Sequence, residues 1–97
     1  MHARIVTLQV REGKLDRVVQ ILQQIVLPAA SRQPGFAGLV VMSDREAYKG
    51  LSTSLWHSEA DMLASEQAEY FQEQISRLIT LLSGPPIIEQ YEVEALS

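Results

Sequence analysis

Apolar and polar residues in this chain alternate with a period of two in several stretches and with a helical period in the segments between them. From Arg4 to Val10, Val6, Leu8 and Val10 share one face and Ile5, Thr7 and Gln9 the other, which predicts a strand with a dry side and a mixed side. Arg11-Glu12-Gly13 is its turn. Leu15, Val18, Val19, Leu22, Ile25, Val26 and Ala29 then recur at helical offsets. Pro28 falls inside that pattern, so the spacing predicts a helix over Lys14–Leu27 and a bent extension towards Ser31. Gln33-Pro34-Gly35 stops it. Phe36 to Ser43 is apolar on both faces, a strand covered on both sides, and Asp44 to Ala47 has hairpin length. Tyr48 to Trp56 is the third strand. A helical signal follows from Ser58 to Ser83 in two pieces, the second expected to start at a Ser65 cap and to carry Phe71, Ile75, Leu78, Ile79 and Leu82. Gly84-Pro85-Pro86 ends it, and Ile87 to Ala95 is the last strand.

The order β-α-β-β-α-β predicts an α+β, ferredoxin-like sandwich: one domain over residues 1–97, with helices on one face of a four-stranded antiparallel sheet. The first three strands carry apolar side chains front and back. The uncovered face is therefore expected to pair with a second copy, closing a dimeric α/β barrel.

The third strand is the unusual one. Leu51, Thr53 and Leu55 share one face; Tyr48, Gly50, Ser52, Ser54 and Trp56 share the other. Small residues lie between two large aromatics, so volume is left above them. Two readings stay open: long side chains from the helices reach down and fill it, or it is a ligand pocket floored by hydroxyls and closed by Trp56. Ser58, followed three residues later by Asp61, reads as an N-cap rather than a nucleophile.

Composition narrows the chemistry. There is no cysteine, which removes disulfide scaffolds and thiolate metal sites. The net charge is −4 and the basic residues are scattered, which argues against nucleic acid and anionic membranes as partners. No basic, apolar leader and no 18-residue apolar run is present, so a cytoplasmic protein is expected. His2 and His57 lie far apart and make no metal site. His57, beside Trp56, is a candidate acid or base. Ser52 and Ser54 lack a triad partner at any recognisable offset. Glu66, Glu69 and Glu73 read as a solvated helix face.

The succession of a strand, a turn ending at Gly13, an amphipathic helix, Pro34-Gly35-Phe36-x-Gly38, a strand ending Leu55-Trp56-x-Ser58-Glu59-Ala60 and a closing Glu89-Gln90-Tyr91-Glu92-Val93 resembles the antibiotic-biosynthesis monooxygenase family of the dimeric α/β-barrel superfamily. The resemblance covers nearly the whole chain. It implies a homodimer and, among the family's activities, cofactor-independent oxidation of phenolic or quinol compounds or haem degradation. The haem-degrading branch needs an Asn, a Trp and a His at positions that here hold Val6, Trp56 and Glu66; a carboxylate in place of the imidazole argues against it. For the cofactor-independent branch, this chain offers Trp56 with Tyr48, Ser52, Ser54 and Tyr70 as ligand-binding candidates, Trp56 and His57 as catalytic candidates, and no Asn anywhere. The expectation is a monooxygenase holding a small aromatic compound beside Trp56 without cofactor or metal. The alternative is a non-catalytic dimeric module for small ligands or protein partners.

Overall fold

A computed structural model describes residues 1–97. The strands are β1 (His2–Gln9), β2 (Phe36–Asp44), β3 (Lys49–Trp56) and β4 (Ile87–Glu92), all antiparallel, in the order β2-β3-β1-β4. This is the expected ferredoxin-like α+β fold. The helices are α1 (Leu15–Ile21), a π-helical turn (Leu22–Val26), α2 (Leu27–Ser31), α3 (Glu59–Gln67) and α4 (Glu69–Leu78), the last running into a 3-10 turn (Ile79–Leu81). None is long and apolar enough to cross a membrane.

Alternation in β1 and β3 survives intact. Val6, Leu8 and Val10 face the helices and join Leu15, Val18, Ile21, Leu22, Leu78 and Leu82 in one buried cluster. In β3, Gly50, Ser52, Ser54 and Trp56 are buried while Leu51, Thr53 and Leu55 are half-exposed on the far face. That far face also carries Val40, 51% exposed, and Met42.

Pro28 acts earlier than the expected kink. Proline has no N–H to close an ordinary helical turn. The chain takes a π turn just before it, with the Leu27 N–H donating to the Leu22 carbonyl, and stays helical to Ser31. Ser58 is the cap of α3, its hydroxyl accepting from the Asp61 N–H at 3.1 Å. The expected break at Ser65 is not there. Ser65 lies inside α3 and is buried; the chain breaks at Ala68, whose backbone is extended. Gly35 has φ +80 and lies so close to the Asp61 side chain that a Cβ would collide with it, so only glycine fits this turn.

β4 ends at Glu92 rather than Ala95 and is exposed along its whole length. It pairs only with β1, on the edge of the sheet.

Candidate functional site

Over Gly50 the space is filled. A Cβ built there would meet Val18 at 3.4 Å and Leu22 at 3.9 Å. Two residues further along, the filling stops. Above Ser52 and Ser54 lies a cavity of about 40 Å³, walled by apolar side chains that include Val6, Leu22, Phe71 and Ile75, and by the polar residues Arg4, Tyr70 and Gln74. As it stands it admits a few water molecules and falls below the ~300–1,000 Å³ usual for ligand pockets. Tyr70 and Gln74 also line an open groove of about 380 Å³ between α2 and α4, rimmed by Arg32 and Arg77. Those two side chains are therefore common to the wall of the cavity and the floor of the groove.

Arg4 dominates the cavity. It is 4% exposed, a burial that requires its charge to be paired and hydrogen-bonded. Its Nη1 donates to the Ser65 hydroxyl at 2.8 Å and the Met62 carbonyl at 3.3 Å, and stands 3.4 Å from Glu66 Oε1. Its Nη2 donates to the Tyr70 hydroxyl at 3.5 Å. The guanidinium carbon lies 5.3 Å from the Trp56 ring and 4.7 Å from the Phe71 ring, within cation–π range of both. Its Nε is buried and has no partner. Across the cavity wall, Gln74 is 7% exposed and its Oε1 is likewise unpartnered.

Of the residues read from the sequence, Ser52, Ser54 and Tyr70 come together in this cavity. Trp56 is wholly buried and stands behind it. Its ring N–H donates to the Ser54 hydroxyl at 2.9 Å, its ring packs edge-on against Phe36, and it touches the wall residues Arg4 and Ser54 without being in the wall itself. Tyr48 is elsewhere. It has φ +53, which takes it out of strand alternation, and it lines a surface groove with Gly13, Leu15, Asp16 and Arg45. The cause is the hairpin: the Asp44 carboxylate accepts from the Ala47 N–H, and Gln9 holds the Ala47 carbonyl at 2.7 Å. His57 is exposed at the far end of β3, its backbone N–H donating to the Gly35 carbonyl. No group of three or more His, Cys, Asp or Glu residues comes together in a way that could hold a metal ion.

Arg4, Gln74 and Glu66 were not singled out as site residues by the pattern, although a signal for the first two exists. Arg4 has the parity of Val6 and Leu8 and so is a charge on the dry face of β1. Gln74 falls on the apolar stripe of Phe71, Ile75 and Leu78. On the open face, the Tyr91 hydroxyl donates to Glu89 at 2.6 Å, and that bond and charge raise the phenol's pKa above its ordinary value.

Comparison with known proteins places the chain. The family described as antibiotic biosynthesis monooxygenase matches residues 1–77. Two uncharacterised proteins of Mycobacterium tuberculosis, from strains CDC 1551 and H37Rv, are each 27% identical over 97 residues, covering 99% of this chain and 42% of their own length. The chain thus spans less than half of those relatives. A protein of unknown function from Nitrosomonas europaea superposes with a TM-score of 0.84 at 23% identity, covering 99% of this chain and 91% of that one. A monooxygenase from the ActVA-Orf6 gene of Streptomyces coelicolor, solved with nanaomycin D, superposes with a TM-score of 0.84 at 19% identity, covering 99% and 89%. At these identities the structural likeness speaks for the fold.

Proposed function

The chain belongs to the antibiotic biosynthesis monooxygenase family, and on that premise we propose that it oxidises a small, electron-rich aromatic compound of the phenol or quinol type with dioxygen, using neither metal nor flavin. The observation that carries this reading is the cavity above Ser52 and Ser54: apolar walls, a buried fixed cation and two unpartnered polar atoms, at the place where the sheet and helices leave space. The Streptomyces coelicolor relative's complex with nanaomycin D supports an aromatic ligand for this fold.

For the ring methylene of an anthrone, the change is CH₂ + O₂ → C=O + H₂O: two C–H bonds break, one oxygen atom enters the carbonyl and the other leaves as water. For a hydroquinone it is C₆H₆O₂ + O₂ → C₆H₄O₃ + H₂O: one ring C–H becomes C–OH, and the two phenolic hydrogens leave with the second oxygen atom as water. In both, all four electrons come from the substrate. The protein's share is to hold the ring in one pose, to fix a cation where negative charge develops on the substrate, and to exclude water. Trp56 acts as a positioning residue, holding the Arg4 guanidinium by its ring face and Ser54 by its N–H.

The open sheet face, with Val40, Met42 and Tyr91 exposed, supports a homodimer that closes over it. A second reading, a non-catalytic ligand-binding module, is favoured by the small size of the cavity and by Phe71 and Ile75 within its wall.

The test is an oxygen electrode with a panel of hydroquinones and anthrones, comparing the protein with Trp56→Phe. Catalysed uptake that falls in the variant supports the oxygenase. Uptake at the uncatalysed rate on every compound leaves the binding module.

A further inference from the structure

We propose that Arg4 and Gln74 form a donor–acceptor pair that selects the ligand, Arg4 Nε–H donating to an oxygen on the aromatic ring and Gln74 Oε1 accepting from a ring hydroxyl. This rests on the cavity being the site of aromatic oxidation. Buried polar atoms in folded proteins are nearly always hydrogen-bonded, so two unpartnered ones among the residues around a single cavity stand out. They are also of opposite kind. Nε is a donor that cannot accept, and Oε1 an acceptor that cannot donate.

The rest of the Arg4 side chain is already committed, to Ser65, Met62, Glu66 and Tyr70 on its terminal nitrogens and to Trp56 and Phe71 on its faces. The donor is therefore held in place before any ligand arrives. A ligand satisfying both atoms carries an oxygen acceptor and a hydroxyl. A hydroquinone does; its dimethyl ether supplies the acceptor alone. Leaving the Gln74 carbonyl unsatisfied beside a bound ether carries the usual penalty of a buried unpaired acceptor.

Tyr70 lines both the cavity and the outer groove, and its bond to Arg4, at 3.5 Å, is the longest hydrogen bond the guanidinium makes, so on this proposal the ligand enters by displacing the Tyr70 side chain.

The sole tryptophan, stacked on Arg4, supplies the readout. Trp56 fluorescence is titrated under argon with hydroquinone, 4-methoxyphenol and 1,4-dimethoxybenzene, on the wild type, Gln74→Leu, Gln74→Met and Arg4→Lys, each first checked for a native circular dichroism spectrum. The expected result is hydroquinone binding to the wild type about tenfold or more tighter than the dimethyl ether, an advantage that vanishes in both Gln74 variants. Arg4→Lys, which keeps the charge and lacks Nε, weakens all three compounds. Equal affinity for the three in the wild type, or an advantage kept in a folded Gln74 variant, overturns this proposal and leaves the oxygenase reading standing. Absence of binding by any of the three overturns the cavity as an aromatic site, and this proposal with it.

Discussion

The two ends of the helix-covered sheet face are built differently on the same strands. At the Gly50 end, Leu15, Val18 and Leu22 crowd the glycine, and the gap left by a missing side chain is taken up by Val18. At the Ser54 end, the same strand pair carries Arg4 against Ser54, and between it and α4 a cavity is left whose lining residues hold unsatisfied polar atoms. One end is made for stability. The other forgoes packing and holds a charge, a combination that natural proteins tolerate mainly where something binds.

Mutations can break or sharpen this contrast. The largest effect belongs to the packed end. Leu15→Ala, in the core cluster over Gly50 and outside the cavity wall, destabilises by about 2–5 kcal/mol, read from urea unfolding. Next is Glu66→Gln at the polar end. It leaves the Arg4 charge without its ion partner while the Ser65 and Met62 bonds remain, and costs about 1–3 kcal/mol in the same assay. Ser52→Val then goes the other way. It puts apolar atoms into the cavity and raises stability by about 0.5–2 kcal/mol while weakening hydroquinone binding in the fluorescence titration. Smallest is Gly50→Ala. Its Cβ meets Val18 at an ordinary contact distance and it restrains the unfolded chain, so the unfolding free energy changes by less than about 1 kcal/mol. A Ser52→Val that destabilised as much as Leu15→Ala would show that the two ends are packed alike.

Much of this contrast is legible in the sequence. Alternation along β1 and β3 gives the sheet, its dry face and the row of small residues at Gly50, Ser52 and Ser54, because a period of two assigns faces unambiguously. That alternation leaves open where along the row the space is filled. Filling depends on how far Val18, Leu22 and Phe71 reach down, which strand parity does not determine. Tyr48 shares the strand's parity on paper and loses it in the hairpin, where φ turns positive. Arg4 shares the parity of Val6 and Leu8 but was not singled out, because its importance lies in partners about sixty residues away along the chain: Met62, Ser65 and Glu66.

The contrast is tested most directly by oxygen uptake with the hydroquinone and anthrone panel on the wild type and on Ser52→Leu, at equal concentrations of folded protein. The account predicts catalysed uptake on at least one compound by the wild type, and loss of that activity in a variant that remains folded with its cavity plugged. Equal rates from the two proteins would contradict it, because the chemistry would then lie somewhere other than the unfilled end of the sheet.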